Sequence, residues 1–189
     1  NLSYVRYGLS SLKAAYDLSR RYSRSENHDT FVQEYEQRAG ITISELTVDG
    51  LNSAKARMKL NFRKPVDSGG DFLYICPTIV PFIEKNPFTS QKRQLPVEFS
   101  YPYRYRIIVS LMLPEGYTVE ELPKSQRLSA CDEGIACTMQ LQQQGALMQC
   151  LFEFDLSRII FPATEYTDLS AFYGFVMDMC NSRIVLKKS

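Results

Sequence analysis

The sequence has no tryptophan and a single histidine, His28. One imidazole excludes nearly all Ser-His-Asp chemistry and most metal sites, because both draw heavily on histidine. An excess of one charge is lacking too. The 22 Lys plus Arg stand against 21 Asp plus Glu, a net of +1, which argues against a dedicated nucleic-acid binder. No run approaches the roughly 20 apolar residues of a membrane span. The first residues, Asn1-Leu2-Ser3-Tyr4, carry neither an initiator Met nor the basic-then-apolar order of a signal peptide. Such a start reads as a processed product or as a segment of a longer protein. Gly-rich phosphate loops, Walker motifs and dinucleotide fingerprints are missing as well.

What is present is core. Of 189 residues 44% are hydrophobic, enough for one full domain plus an appended piece, with no metal or disulfide staple needed for folding. Val5, Leu9, Leu12 and Tyr16 make one apolar stripe, so residues 2 to about 24 read as a helix ending in Arg20, Arg21 and Arg24. Asp29 suits the cap of a second helix, Phe31, Val32 and Tyr35 share its face, and Gly40 suits its C-terminal left-handed position.

From Ile41 the period changes from 3.6 to 2. Ala56, Met58, Leu60 and Phe62 alternate with Arg57, Lys59, Asn61 and Arg63, as a strand with one wet face does. Pro65 to Gly70 read as a turn and Phe72 to Cys76 as a short strand. Pro77, Pro81, Pro87, Pro96 and Pro102 then exclude helix, since each lacks an amide donor and fixes φ. Tyr103, Tyr105, Ile107, Val109, Leu111 and Leu113 occupy one face of the strongest strand, with Arg104, Arg106 and Ser110 on the other. Turn signals at Pro114-Glu115-Gly116, Asp132-Glu133-Gly134 and Gln143-Gln144-Gly145 divide the rest into antiparallel hairpins. Thr164 suits the cap of a last helix with Leu169, Phe172, Val176 and Cys180 as its stripe, before a closing strand at Ile184-Val185-Leu186. The fold class is α+β: a mostly antiparallel β-sandwich with an N-terminal helical pair and a C-terminal helix. Residues 1–40 form a helical connector and 41–189 the sandwich.

Each candidate chemistry meets an ordinary alternative. The five cysteines are Cys76, Cys131, Cys137, Cys150 and Cys180. Cys76, Cys150 and Cys180 read as small buried hydrophobes, and His28 lies in a polar break, so a Cys-His pair has no support. Cys131 and Cys137 are too far apart for a zinc pair; they are either a hairpin disulfide or two free thiols. Glu153 and Asp155 share a strand face, and Asp67 and Asp71 bracket a Gly-Gly turn, neither placing two acids across a cleft. Arg57, Lys59, Arg63 and Lys64 with Arg104 and Arg106 form a basic strand face, for an acidic partner or simply for water. Tyr101, Tyr103 and Tyr105 suit core more readily than carbohydrate stacking. No catalytic, cofactor or metal residue is assigned, and the segment reads as no enzyme.

The order of punctuation is more specific than any one motif. Tyr74-Ile75-Cys76-Pro77 is followed by Asn86-Pro87-Phe88, Arg93, Pro96-Val97-Glu98-Phe99, Leu113-Pro114-Glu115-Gly116-Tyr117 and Glu121-Leu122-Pro123. Glu165-Tyr166, Leu169, Phe172-Tyr173 and Ile184 to Lys188 close the series. Over about residues 41 to 189 this resembles the C-terminal domain of unknown function that follows the transglutaminase-like core in exported proteins of Gram-negative bacteria. The resemblance implies an upstream papain-like core in the same chain as partner, and an exported, periplasmic or cell-surface location. None of that core's catalytic motif is in this sequence, so no catalytic residue is carried over. The odd cysteine count suits an oxidising compartment imperfectly. The function expected is a non-catalytic accessory domain that packs against the core and positions substrate for it. The alternative is an independent glycan- or peptide-binding module of the cell envelope. Asn86, Pro87, Phe88, Arg93, Pro96, Glu98 and Phe99 are expected to be structural, with Phe88 and Phe99 as anchors and Arg93 paired to Glu98.

Overall fold

The computed structural model describes residues 22, 28–50, 57–78 and 82–189. The stripe Val5, Leu9, Leu12 and Tyr16 lies outside them, as does Ala56. Helix α1 runs His28–Ala39 and buries Phe31, Tyr35 and Ala39. Gly40 ends it at φ +61°, the left-handed conformation that a side chain resists. The carboxylate of Glu36 accepts the amide of Ile43, tying the helix to the strand that follows.

Strands β1 (Thr42–Asp49) and β2 (Arg57–Arg63) form an antiparallel pair. Alternation sets their faces: Met58, Leu60 and Phe62 go inward, while Arg57, Lys59 and Arg63 stay exposed. Pro65 to Gly70, expected as a turn, instead contains β3 (Asp67–Gly69), which pairs with β4 (Phe72–Ile75) around Gly70 at φ +61°. The turn is there, but shorter, because one glycine in the left-handed region is enough to close it. Among its described residues the proline-rich stretch yields only β5 (Val97–Glu98), paired with β11 (Ile160–Phe161).

The main sheet has the order β6-β10-β9-β8, from β6 (Tyr103–Met112), β8 (Gln126–Ala130), β9 (Ile135–Gln144) and β10 (Leu147–Leu156). Its inner face carries Ile107, Val109 and Leu111 beside Met148, Cys150, Phe152 and Phe154 and then Cys137 and Met139. Phe152 and Phe154 are fully buried, each contributing about 1.5–3 kcal/mol by removal from water. A second sheet has the order β3-β4-β12-β7, with β7 (Tyr117–Glu121) and β12 (Ile184–Lys188).

Helix α2 (Tyr166–Asn181) lies on the inner face of the main sheet. Phe172 and Tyr173 meet the Phe154 ring at 6.1 and 5.9 Å, and the sulfurs of Cys137 and Met179 are 3.7 Å apart. The stripe Leu169, Phe172, Val176 and Cys180 is buried as its spacing requires. Thr164 is not its cap. Pro162 fixes the chain as it enters a short 3-10 turn over Ala163–Glu165, and Thr164 sits inside that turn. The whole is α+β, mostly antiparallel sheet with a short N-terminal and a longer C-terminal helix.

Candidate functional site

The outward face of the main sheet is laid out in rows by the strand register. Arg104 stands opposite Asp155, Arg106 opposite Glu153 and Ile108 opposite Leu151, with Ser110 and Met112 facing Gln149 and Leu147. Beyond them β9 adds Ala136, Thr138, Gln140, Gln142 and Gln144. One end is therefore charged, the other rich in neutral amides, and aliphatic groups cross the middle and far rows. Two shallow basins lie over these rows, about 470 Å³ at the charged end and about 400 Å³ at the glutamine end.

The charges compensate each other. Nε of Arg104 donates to Asp155 at 2.8 Å, Nε of Arg106 donates to Glu153 at 2.7 Å, and each guanidinium adds a second contact to the same carboxylate. The hydrogen bond to Asp155 holds the Arg104 guanidinium above its ordinary value. The expected joint basic face is thus divided: Arg104 and Arg106 are paired on one sheet, while Arg57, Lys59 and Arg63 lie on the β1–β2 pair. Glu153 and Asp155 share their face as expected and serve those arginines. The apolar groups of this face are only partly covered. Ile108 and Met112, on the edge strand β6, are 43% and 42% exposed, and Leu151 and Leu147 beside them on β10 are half-buried.

A second feature is a cleft of about 110 Å³ where β2, β4 and β6 approach one another. Phe62, Ile75 and Leu111 form its buried floor, with Pro65 and Val66 on one wall. Lys64, Asp67, Tyr74 and Arg183 line it from more polar positions, and Cys76 closes one end. Arg183 donates through Nη1 to the carbonyls of Asn181 and Ser182 rather than to a carboxylate. The Cys76 thiol donates to the carbonyl of Cys180 at 3.2 Å and lies 3.4 Å from the Thr78 hydroxyl. Alternation marked Phe62 and Leu111 as inward residues, but nothing local in the sequence announced that their strands meet at a gap.

The thiols are free. Cys137 pairs across the hairpin with Leu128, not with Cys131, and its sulfur points into the core toward Met179. Cys131 sits in the connection itself, since Ala130 and Ile135 are partners and residues 131–134 form the loop. The hairpin is therefore too short at its tip for the two cysteines to face each other. Burial and the neighbouring Glu165 push the Cys131 thiol up to about 11; burial pushes Cys150 to about 12 and Cys180 to about 11. Each of these is a poorer nucleophile than an ordinary thiol at neutral pH. Nδ1 of His28, the one histidine, lies 3.6 Å from the Asp29 carboxylate in an exposed position. Among the described residues no three His, Cys, Asp or Glu side chains are grouped to hold a metal.

The loop at 131–134 is strained. Cys131, Asp132 and Glu133 all take left-handed φ angles of 52° to 58°, which non-glycine residues adopt reluctantly. Gly134 locks it: its carbonyl accepts the amides of Ser157 and Arg158 at 3.0 and 3.1 Å. Arg158 pairs with Glu165 and stacks over Phe161, 4.7 Å from the ring centre. Sequence patterning missed this arrangement, because its members are spread over three connections.

The Asn86 to Phe99 motif is brought together against α2. Asn86 donates to the Ser170 carbonyl at 2.9 Å and accepts the Phe88 amide at 2.9 Å, and the Ser170 hydroxyl donates to the Phe88 carbonyl. Phe88 packs edge-on against Phe99, Tyr166 and Tyr173, and Phe99 against Phe161. Both anchors are half-buried. Pro87 is an exposed bend, and Pro96, also exposed, follows the bend at residues 94–95 and leads into β5. Arg93 and Glu98 are both exposed and form no ion pair, because β5 sets Glu98 opposite Ile160.

These observations define an antiparallel α+β domain with an open sheet face and a small apolar cleft. The chain belongs to the DUF3858 family, described as a domain of unknown function with a solved structure, whose model matches residues 71–186. No curated protein and no solved structure matches the chain.

Proposed function

We propose that this chain is a non-catalytic accessory domain of a transglutaminase-like protein, docked through the outward face of its main sheet on an upstream papain-like core. The observation that carries the reading is the aliphatic band of exposed Ile108 and Met112 beside half-buried Leu151 and Leu147, on a face whose charges already neutralise each other. Interfaces between domains of one chain are of this mixed kind, more polar than a core and carrying apolar groups that water alone does not favour. The link to that core rests on the sequence resemblance, and so does an exported location. The elevated thiols support a role without nucleophilic catalysis. No described helix is long and apolar enough to cross a membrane.

The test is a paired substitution, Ile108→Asp with Leu151→Asp, in a longer chain that includes the core. Both side chains are exposed or half-exposed, so the fold of residues 1–189 should survive. Limited proteolysis is expected to separate the two domains of the variant several-fold faster than in the wild type. Equal resistance would contradict the docking. The second reading, an independent peptide-binding module, is favoured by one observation, the cleft beside β4.

A further inference from the structure

We propose that the cleft between β2, β4 and β6 is a recognition pocket for a single branched aliphatic side chain of a peptide with carboxylates next to that residue. Size selects the anchor. A dry cavity of about 150 Å³ holds a benzene ring, so one of 110 Å³ takes an isobutyl or isopropyl group and no larger ligand. Chemistry selects it too: the floor of Phe62, Ile75 and Leu111 has no polar side-chain atom to offer, so burial there favours a leucine-sized aliphatic group.

The rim selects the flanks. Arg183 supplies the cation of the rim; Lys64, which has a partner of its own, and the carboxylate of Asp67 line it as well. The Arg183 guanidinium donates to two backbone carbonyls in place of an acidic partner, which leaves its charge uncompensated by an ion pair. A positive rim around an apolar socket matches a peptide that presents an aliphatic residue between acidic ones. Tyr74, 39% exposed, supplies an aromatic wall. A free amino acid would bring an ammonium group toward this cation and be repelled. The pocket is on a different face from the docking band, so the proposal stands whether or not an upstream core covers the main sheet.

Methyl and aromatic NMR shifts of the full 189-residue chain test it. The probes are the tripeptides acetyl-Asp-Leu-Asp-amide, acetyl-Asn-Leu-Asn-amide and acetyl-Asp-Ala-Asp-amide. The first should saturate shifts at Ile75, Leu111 and Val66, and the other two should bind at least five-fold more weakly. Arg183→Glu, an exposed change with the far-ultraviolet spectrum as fold control, should weaken the first peptide ten-fold or more and leave the Asn peptide nearly unaffected. Val66→Phe, which fills the cleft, should remove the shifts at Ile75 and Leu111. Equal affinity for the Asp and Asn peptides, equal affinity for Leu and Ala, or no saturable shift at Ile75 and Leu111 would each overturn the proposal.

Discussion

The side-chain amide of Asn86 donates to the backbone carbonyl of Ser170 at 2.9 Å, joining two residues 84 positions apart. The Ser170 hydroxyl returns a bond to Phe88, so the irregular proline-rich segment and α2 are stitched reciprocally. A loop with few strand hydrogen bonds of its own gains its order from the helix it crosses.

Loss of that stitch should be costly. Asn86→Ala removes two hydrogen bonds of a half-buried group and is expected to cost about 1–3 kcal/mol. Phe88→Ala and Phe99→Ala should each cost about 2–4 kcal/mol, somewhat below a fully buried phenylalanine. Urea unfolding gives the values. Midpoints equal to wild type for all three would show that the segment is not an anchor.

Gly134 is irreplaceable for a steric reason, not a conformational one. A Cβ there would lie 2.9 Å from the Cys131 carbonyl oxygen and 2.9 Å from Nε of Arg158. Gly134→Ala should therefore destabilise the chain by about 1–3 kcal/mol, as overpacking against backbone does. Asp132→Gly, which relieves a left-handed residue, should be neutral or stabilising by up to about 1 kcal/mol. A thermal melt of both variants tests the pair. Unchanged melting of Gly134→Ala would mean the loop is free to relax.

The thiols make stability fall in alkali. Cys150 and Cys180 titrate near 12 and 11 in the folded chain, against about 8.5 when unfolded. Below about pH 8.5 both states keep these protons and the contribution is full. Above it the unfolded chain releases protons that the folded chain retains, so stability drops as pH rises toward 11 to 12. The double variant Cys150→Ala, Cys180→Ala should be less stable at pH 7 but show a shallower decline between pH 8.5 and 10.5. Melting under reducing conditions across that range measures it, and parallel curves would exclude the thiols as the cause.

Much of the fold was legible because it rests on local periodicity. The inward sets on β2 and β6, the hairpin turns between β8, β9 and β10, the stripe of α2 and the left-handed Gly40 all follow from spacing that one segment carries by itself. Proline density likewise marked residues 77–102 as irregular. Features that need two distant segments were not legible. The cleft exists because Phe62, Ile75 and Leu111 come from three strands, and no short-range pattern encodes their gap. The Arg158, Glu165 and Gly134 clamp is similar. The Arg93–Glu98 pairing failed for the converse reason: proximity in sequence does not aim two side chains at each other when a strand pairing decides their direction.

A peptidase and amine-transfer screen of the purified 189 residues should give no turnover above a protein-free control. Turnover that disappears with one Cys→Ala substitution would reject the accessory reading.

Methionine oxidation probes the central claim at the surface it concerns. Met112 is 42% exposed on the outward face, whereas Met58, Met139 and Met148 are fully enclosed and serve as internal references. Dilute peroxide followed by peptide mass spectrometry yields the rate of sulfoxide formation at each. Met112 should oxidise readily in the 189-residue chain and at least five-fold more slowly in a longer chain carrying the upstream core. Equal rates at Met112 in the two chains would contradict the docking of this face.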